Sequence, residues 1–329
     1  MAEMRIVALE EHLSLRRFQA EVDPAAMARR GYLGPNWAGP RGDALDEVDG
    51  QRLKLMDEAG ITVQVLSAVG PGADIMPPDA GPAFAQRYND EMARIVRGNP
   101  DRFKAFAHLP LTAPAAAADE LERTVRELGF VGALINGVTD DKFLDDPMFE
   151  PILARAEKLG VPLYLHPGIP PESVRKVYYD GLNDPRLSFA FATAGFGWHW
   201  ETAVHVLRLV LAGTLERHPG LNLIIGHMGE GLPMFMARVD EVMTQFAKGL
   251  TRPISRQILD QVTITTAGFF SQAPFIAALL TFGADRILFS VDYPFASNKA
   301  GTDFLRELPV TPSDKLKIAH GNADRVLKL

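Results

Sequence analysis

The sequence contains no cysteine among its 329 residues. This excludes a disulfide framework, a thiolate metal site and a cysteine nucleophile, so any metal ion must be bound by histidine and carboxylate side chains. Basic residues are in the minority, with 34 Lys and Arg against 41 Asp and Glu and a net charge of −7. Because nucleic-acid binding requires a basic surface, we expect no nucleic-acid partner.

Long apolar runs and phosphate-binding turns are also lacking. No apolar stretch reaches the ~18 residues that indicate a membrane span, and no signal-peptide pattern follows Met1. We therefore expect a cytoplasmic protein with no membrane partner. There is no G-x-G-x-x-G or P-loop motif, which disfavours an open, doubly wound nucleotide-binding sheet. The 47% of hydrophobic residues is typical of a globular protein with a large core.

What the sequence does contain is a regular alternation of strand-like and helical patterns. Strands are predicted at 5–10, 61–67, 103–109, 131–136, 161–166, 221–227, 262–266 and 286–292. A helical pattern follows each strand, as at 47–59, 114–128 and 199–217. Eight such units predict a (β/α)8 TIM barrel in one domain over residues 1–329, distorted by insertions at roughly 13–45 and 167–197. An open doubly wound sheet is the alternative.

Four predicted strands end in side chains that can bind a metal ion. The first ends in Glu10-Glu11-His12, and strand alternation places Glu10 and His12 on one face and Glu11 on the other. The fifth, sixth and eighth strands end at His166, His227 and Asp292. The carboxyl ends of barrel strands meet at one mouth, where barrel enzymes keep their active sites. These residues therefore predict a metal site, although a charged strand end in solvent would explain the first stretch alone.

The remaining histidines carry weaker signals. His108 ends the third strand, His199 and His205 lie on a predicted helix, His218 follows a helix end, and His320 precedes a glycine. We interpret them as structural residues.

Four segments together resemble the amidohydrolase superfamily. They are Ala8–His12, Leu165–Pro167, Gly226–Pro233 and Ser290–Phe295. The similarity is greatest to its metal-dependent, non-oxidative decarboxylases of hydroxylated benzoates, such as those of γ-resorcylate, 2,3-dihydroxybenzoate and 5-carboxyvanillate. The Glu-x-His opening is the most discriminating feature, because hydrolytic members more often open with His-x-His. The fourth strand ends in Asn136-Gly137, without the Lys or Glu that bridges a second metal in many of them.

The resemblance implies one divalent ion bound by Glu10, His12, His166 and Asp292. Such mixed ligands suit Zn²⁺ or Mn²⁺, and Mg²⁺ is compatible with them. The resemblance also implies that Asp292 is the proton donor to a ring carbon, with His227 and Glu230 as a relay that charges or orients it. Relatives are commonly dimers or tetramers, so we expect a homo-oligomer.

A flat, apolar substrate also needs apolar side chains around its ring and polar side chains that bond its substituents. The aromatic residues that follow predicted strands, and so are expected to line the mouth, are Trp37, Phe196, Trp198 and Phe295. Asn136 is expected to hydrogen-bond a ring hydroxyl. Arg238, on the helix after the sixth strand, is expected to support the site by pairing with Glu230.

The sequence thus predicts a decarboxylase of a small ortho-hydroxylated aromatic acid, which runs in reverse as a phenol carboxylase at high bicarbonate. A metal-dependent hydrolase of a lactone or amide on the same fold is the main alternative. Decarboxylation of a non-aromatic dienoic acid such as aminocarboxymuconate is a further option, although His-x-His is the usual opening there. A non-enzymatic binding protein on a barrel scaffold is the least favoured hypothesis.

Overall fold

The computed structural model describes residues 4–32 and 39–329, and its central feature is a ring of parallel strands. The strands are β1 Val7–Leu13, β2 Val63–Ala68, β3 Phe103–Ala105, β4 Ala133–Asn136, β5 Leu163–His166, β6 Leu223–Ile225, β7 Val262–Thr265 and β8 Ile287–Leu288. β1 to β3 form one sheet and β4 to β8 another, both in chain order. Single parallel bridges, Ala107 with Ala133 and Glu11 with Tyr293, join the sheets at both junctions. This is the strand succession of the predicted TIM barrel.

Helices fill the connections between the strands. Their bounds are α1 Arg16–Gln19, α2 Pro24–Arg30, α3 Pro40–Asp46, α4 Gln51–Ala59, α5 Gly81–Gly98, α6 Pro114–Leu128, α7 Glu150–Leu159, α8 Glu172–Tyr178, α9 Pro185–Ala192, α10 Gly197–Leu211, α11 Thr214–Arg217, α12 Leu232–Met243, α13 Ile254–Gln261, α14 Gln272–Phe282, α15 Asn298–Glu307, α16 Pro312–Leu316 and α17 Asn322–Leu327. Across the described ranges, none of these helices combines the length and apolar character needed to cross a membrane.

The apolar core lies in two parts, one inside the ring and one between the ring and the helices. Val7 and Leu9 belong to the inner cluster and Ala8 to the outer one, as strand alternation requires. The pairing of β1 with β2 shifts register between Ala8 and Glu11. Such a bulge changes the phase of the strand, so that Glu10 follows Leu9 on the inner side. It is this bulge that directs Glu10 and His12 into the mouth of the ring.

Several predicted bounds were wrong for local physical reasons. The helix predicted over 199–217 is divided, because Gly213 takes a left-handed backbone (φ 70°) between α10 and α11. The predicted strand 286–292 is a two-residue ladder, because the chain after Leu288 leaves the sheet. Helix α13 was not predicted. The two insertions hold α1 to α3 and α8 to α9, and Trp37 lies outside the described residues.

Two glycines allow the ends of β4 and β5 to approach each other. Gly137 and Gly168 follow Asn136 and His166 closely, and a Cβ on Gly168 would lie 2.7 Å from the Cα of Gly137. Because backbone atoms cannot move away as a flexible side chain can, we expect Gly168→Ala to lower the free energy of unfolding by about 1–3 kcal/mol. Urea denaturation followed by circular dichroism measures this.

Gly98→Ala is the matched control. A Cβ there meets no atom within 4 Å, and alanine favours the helix by roughly 0.5–1 kcal/mol. Equal stabilities of the two variants would contradict the argument from close backbone packing.

Candidate active site

Four side chains from three strand ends converge on one point at the mouth of the ring. Glu10 Oε1 lies 3.2 Å from His166 Nε2 and 3.8 Å from His12 Nε2. His12 Nε2 lies 3.2 Å from Asp292 Oδ1. Glu10 and His12 are fully buried, and only the edge of Asp292 reaches the surface. The structure thus brings together the ligand set implied by the sequence.

Two atoms of this cluster have no hydrogen-bond partner. They are Glu10 Oε1 and His12 Nε2, both buried and both directed at the centre of the cluster. An unsatisfied buried group costs about 1–3 kcal/mol, and more when it is charged. A cation among two carboxylates and two imidazoles would satisfy both atoms, and this donor set suits a divalent ion. The residues present therefore fit a divalent metal.

The other atoms of the ligands are held in place by neighbouring groups. His166 Nδ1 donates to the carbonyl oxygen of Pro167 at 2.7 Å, which directs Nε2 at the cluster. Tyr164 donates to Glu10 Oε2 and contacts Thr265 Oγ1 at 3.0 Å. Burial and the charge of Glu10 raise the pKa of Tyr164 well above its usual value, so it remains a donor.

Gly226, directly after β6, leaves room for the side chain of Glu10. A Cβ on Gly226 would lie 2.7 Å from Glu10 Oε2. The hydroxyl of Ser290 also accepts the backbone N–H of Glu10 at 2.6 Å. These contacts leave Glu10 little freedom to turn away from the cluster.

The charges of the cluster are balanced within it. Burial raises the pKa of Glu10, but the charge of His227 and the nearby imidazoles of His12 and His166 outweigh burial and lower it well below its usual range. Burial lowers the pKa of His12, but the neighbouring carboxylates of Asp292 and Glu10 raise it to about 9. The imidazoles thus supply the positive charge that the carboxylates require, and a divalent ion in the same place would supply it instead.

The segment after β6 takes an unusual backbone. His227, Met228 and Glu230 all have left-handed conformations, with φ of 49°, 57° and 55°. Such conformations cost of order 1 kcal/mol for residues with a Cβ and persist only when other contacts hold them. Here the hydrogen bond from His227 Nδ1 to Glu230 Oε1, at 2.7 Å, is one such contact.

A relay of three side chains leads outward from the cluster. His227 Nε2 lies 3.9 Å from Asp292 Oδ2 and 3.5 Å from Glu10 Oε1. Glu230, which bonds His227, also accepts from His199 Nδ1 at 2.6 Å. Burial lowers the pKa of His227, but the charges of Glu230 and Glu10 raise it well above its usual value. The two neighbouring carboxylates therefore favour the protonated form of His227.

A cavity of about 280 Å³ opens directly onto this cluster. The described residues that line it are Tyr32, Arg41, Val69, Gly70, Asn136, His166, Pro167, Gly168, Ile169, Phe189, Thr193, Ala194, Trp198, Asp292 and Phe295. Phe295 meets the ring of His12 edge-on at 5.7 Å, and Trp198 meets His166 edge-on at 6.1 Å. The cavity is thus flanked by aromatic rings and reaches Asp292 at its inner end.

Two residues that were predicted to belong to the site, Phe196 and Arg238, lie outside it. Phe196 is half-exposed and packs on Phe191 and Trp200, outside the cavity. Arg238 lies at the surface of α12 and donates to Glu241 at 3.0 Å, so the expected ion pair with Glu230 does not form. Helical spacing directs the guanidinium outward, whereas Glu230 points inward. Trp198, Phe295 and Asn136 do line the cavity.

Sequence reasoning missed several residues of the site. Tyr164 could have been found, because it lies two residues before His166 and alternation places both on one face. His199 was taken for a structural residue, since its partner Glu230 is reached only through the left-handed turn at 227–230. Tyr32 and Arg41 come from the first insertion and line the cavity. The sequence there has no periodic pattern that would indicate which side chains face the site.

Comparison with known proteins agrees with this geometry. A family model described as amidohydrolase matches residues 12–329. The chain belongs to the amidohydrolase family. Among relatives of this amidohydrolase, the γ-resorcylate decarboxylase of Rhizobium sp. strain MTP-10005 is 40% identical over 98% of both chains.

Two solved structures of amidohydrolase relatives show the same fold. A 2,6-dihydroxybenzoate decarboxylase complexed with 2,6-dihydroxybenzoate is 36% identical, with a TM-score of 0.87 over 99% of this chain and 100% of the other. A dihydroxybenzoic acid decarboxylase from Polaromonas sp. JS666, with bound manganese and the inhibitor 2-nitroresorcinol, is 35% identical. Its TM-score is 0.87 over 99% of this chain and 97% of the other.

Removal of one ligand tests the metal centre. We expect His12→Ala to weaken Mn²⁺ binding by more than about 100-fold, because even residues that only support ligands contribute 10- to 100-fold. Isothermal titration of the metal-free protein measures this. His320→Ala is the control, since His320 bonds Asp324 away from the cluster. Unchanged Mn²⁺ affinity in His12→Ala would place the metal elsewhere.

Proposed function

We propose that this amidohydrolase is a metal-dependent, non-oxidative decarboxylase of an ortho-hydroxylated aromatic acid. The observation that carries the proposal is the position of Asp292. Its carboxylate belongs to the metal-binding cluster and also forms part of the cavity wall. An acid in that position can reach both a bound metal and the ring of a flat substrate.

The relatives support this choice over a hydrolase. Proteins named as decarboxylases of γ-resorcylate and 2,6-dihydroxybenzoate match the chain over nearly its full length. The strand end at Asn136, which carries neither Lys nor Glu, also offers no bridging ligand for a second metal.

The site residues divide into binding and proton transfer. Glu10, His12, His166 and Asp292 would hold the metal, which when bound supplies a Lewis acid and a template for the carboxylate and neighbouring hydroxyl of the substrate. The metal is Mn²⁺ or Zn²⁺ in this proposal, with Mg²⁺ also compatible. Trp198 and Phe295 confine the ring, and Asn136 hydrogen-bonds a ring hydroxyl.

Asp292 transfers a proton to the ring carbon that carries the carboxylate. A new C–H bond forms there, the bond to the carboxylate carbon then breaks, and its electron pair restores the aromatic ring as CO2 leaves. Burial raises the pKa of Asp292, but the nearby imidazoles of His12 and His227 lower it. Asp292 must therefore receive its proton from a neighbour. His227, held by Glu230 and His199, is that neighbour.

A panel of acids tests the proposed function. Protein with Mn²⁺ confirmed by elemental analysis is incubated with 2,6-dihydroxybenzoate, 2,3-dihydroxybenzoate, salicylate and 5-carboxyvanillate, and ultraviolet loss and CO2 release are followed. We expect turnover of at least one acid, and carboxylation of the matching phenol at high bicarbonate. Silence on every acid together with turnover of a lactone would replace the decarboxylase with a hydrolase.

Asp292→Asn tests the proton donor. The amide retains an oxygen for the metal but cannot donate a carboxylic proton, so we expect kcat to fall by at least about 100-fold while Mn²⁺ binding persists. Asp260→Asn, which alters an ion pair with Arg252 and Arg256 on the outside, is the control. Near-normal turnover by Asp292→Asn would show that another group is the acid.

We also propose that the protein is a homodimer or homotetramer. Large apolar side chains on α12 and α14 and just after α12 are exposed, among them Met234, Phe246 and Leu280 at 74%, 76% and 82%. A cluster of such side chains is typical of a protein interface. Light scattering coupled to gel filtration should therefore give a mass of two or four chains, and a monomer at micromolar concentration would contradict this.

A further inference from the structure

Glu11 lies between two of the proposed ligands but faces away from them. Both carboxylate oxygens are occupied, and the side chain is fully buried. Oε1 accepts the backbone N–H of Val291 at 2.9 Å, and Oε2 accepts that of Tyr293 at 3.3 Å. One carboxylate thus bonds the residues immediately before and after Asp292.

These two amides lie beyond the last strand. The ladder between β7 and β8 ends at Leu288, so neither amide has a partner in that sheet. Asp292 itself has φ of 72°, a left-handed backbone that a residue with a Cβ adopts only when its surroundings hold it. Beyond Leu288 the backbone pairs with β1 through a single bridge, in which His12 N–H donates to the carbonyl oxygen of Tyr293 at 2.8 Å. Glu11 adds a side-chain hydrogen bond on each side of Asp292.

A second layer of side chains holds Glu11. Gln64 Nε2 donates to Glu11 Oε2 at 3.2 Å, and Arg52 Nη1 donates to Gln64 Oε1 at 3.4 Å. Arg52 is also fully buried, and its Nη2 donates to the carbonyl oxygen of His12 at 2.5 Å. Arg52 thus links the backbone of His12 to the Gln64 side chain that bonds Glu11.

We propose that Glu11 is the positioning residue of Asp292. It touches neither metal nor substrate, and acts by fixing the backbone that directs the Asp292 carboxyl toward both. The kinetic part of this inference rests on the proposed function, in which Asp292 is the acid. The structural part stands on the hydrogen bonds alone.

Glu11→Gln tests the inference with little change in volume. One oxygen becomes an NH2 group, which cannot accept from a backbone N–H. In metal-free protein, we expect hydrogen exchange of the Val291 and Tyr293 amides, followed by NMR, to accelerate about tenfold or more. In Mn²⁺-loaded protein, we expect kcat and kcat/KM to fall together by about 10- to 100-fold, since supporting residues contribute that much.

Glu157→Gln is the matched control, because Glu157 accepts the backbone N–H of Gly220 at 2.7 Å and a histidine bond away from the site. It should leave turnover and the exchange of the Val291 and Tyr293 amides unchanged. If Glu11→Gln does not fold, Gln64→Leu removes one bond to the same carboxylate and should change both measurements in the same direction, less strongly.

Three results would be decisive. Unchanged exchange at Val291 and Tyr293 would overturn the inference, and so would faster exchange with wild-type kcat. Wild-type protein that turns over no acid would overturn the proposed function. In that case the exchange measurement would still decide whether Glu11 holds the backbone around Asp292.

Discussion

The structure of the active site follows from the need to balance buried charge. Glu10 and Asp292 are carboxylates in an almost dry environment, where an unpaired charge is far more costly than in water. The imidazoles around them, and a divalent ion in the same position, are the groups that meet this need. The supporting contacts from Tyr164, Pro167 and Ser290 keep the donor atoms aimed at one point, so that the balance depends on geometry as much as on composition.

Short strands and irregular segments together build this geometry. β8 pairs over only two residues, and the chain beyond it is held by side-chain hydrogen bonds together with isolated backbone bonds instead of a continuous ladder. The segment after β6 leaves the sheet in a series of left-handed residues. Regular strands would direct alternate side chains into the core, whereas these departures turn His227 and Asp292 toward each other. The regular strands form the barrel, and the irregular segments after β6 and β8 place the side chains of His227 and Asp292.

The sequence predicted the ring of strands and the convergence of polar strand ends at one mouth because both depend on local rules. Apolar runs mark strands, and polar residues at their ends mark the mouth of a barrel. The residues that it missed depend on tertiary contacts. His199 reaches Glu230 only across the left-handed turn, and the outward placement of Phe196 and Arg238 depends on how their helices are rotated. Alternation along β5, by contrast, is sufficient to place Tyr164 on the same face as His166.

The second insertion contacts the proposed proton relay at Ala194. Ala194 lines the cavity, and its carbonyl oxygen lies 3.2 Å from His199 Nε2. A loop transplanted from a relative to alter the choice of aromatic acid would therefore also move the outer histidine of the relay. Under the proposed function, substrate range and turnover rate are therefore coupled, and redesign of the one must preserve the path of the backbone at Ala194 to retain the other.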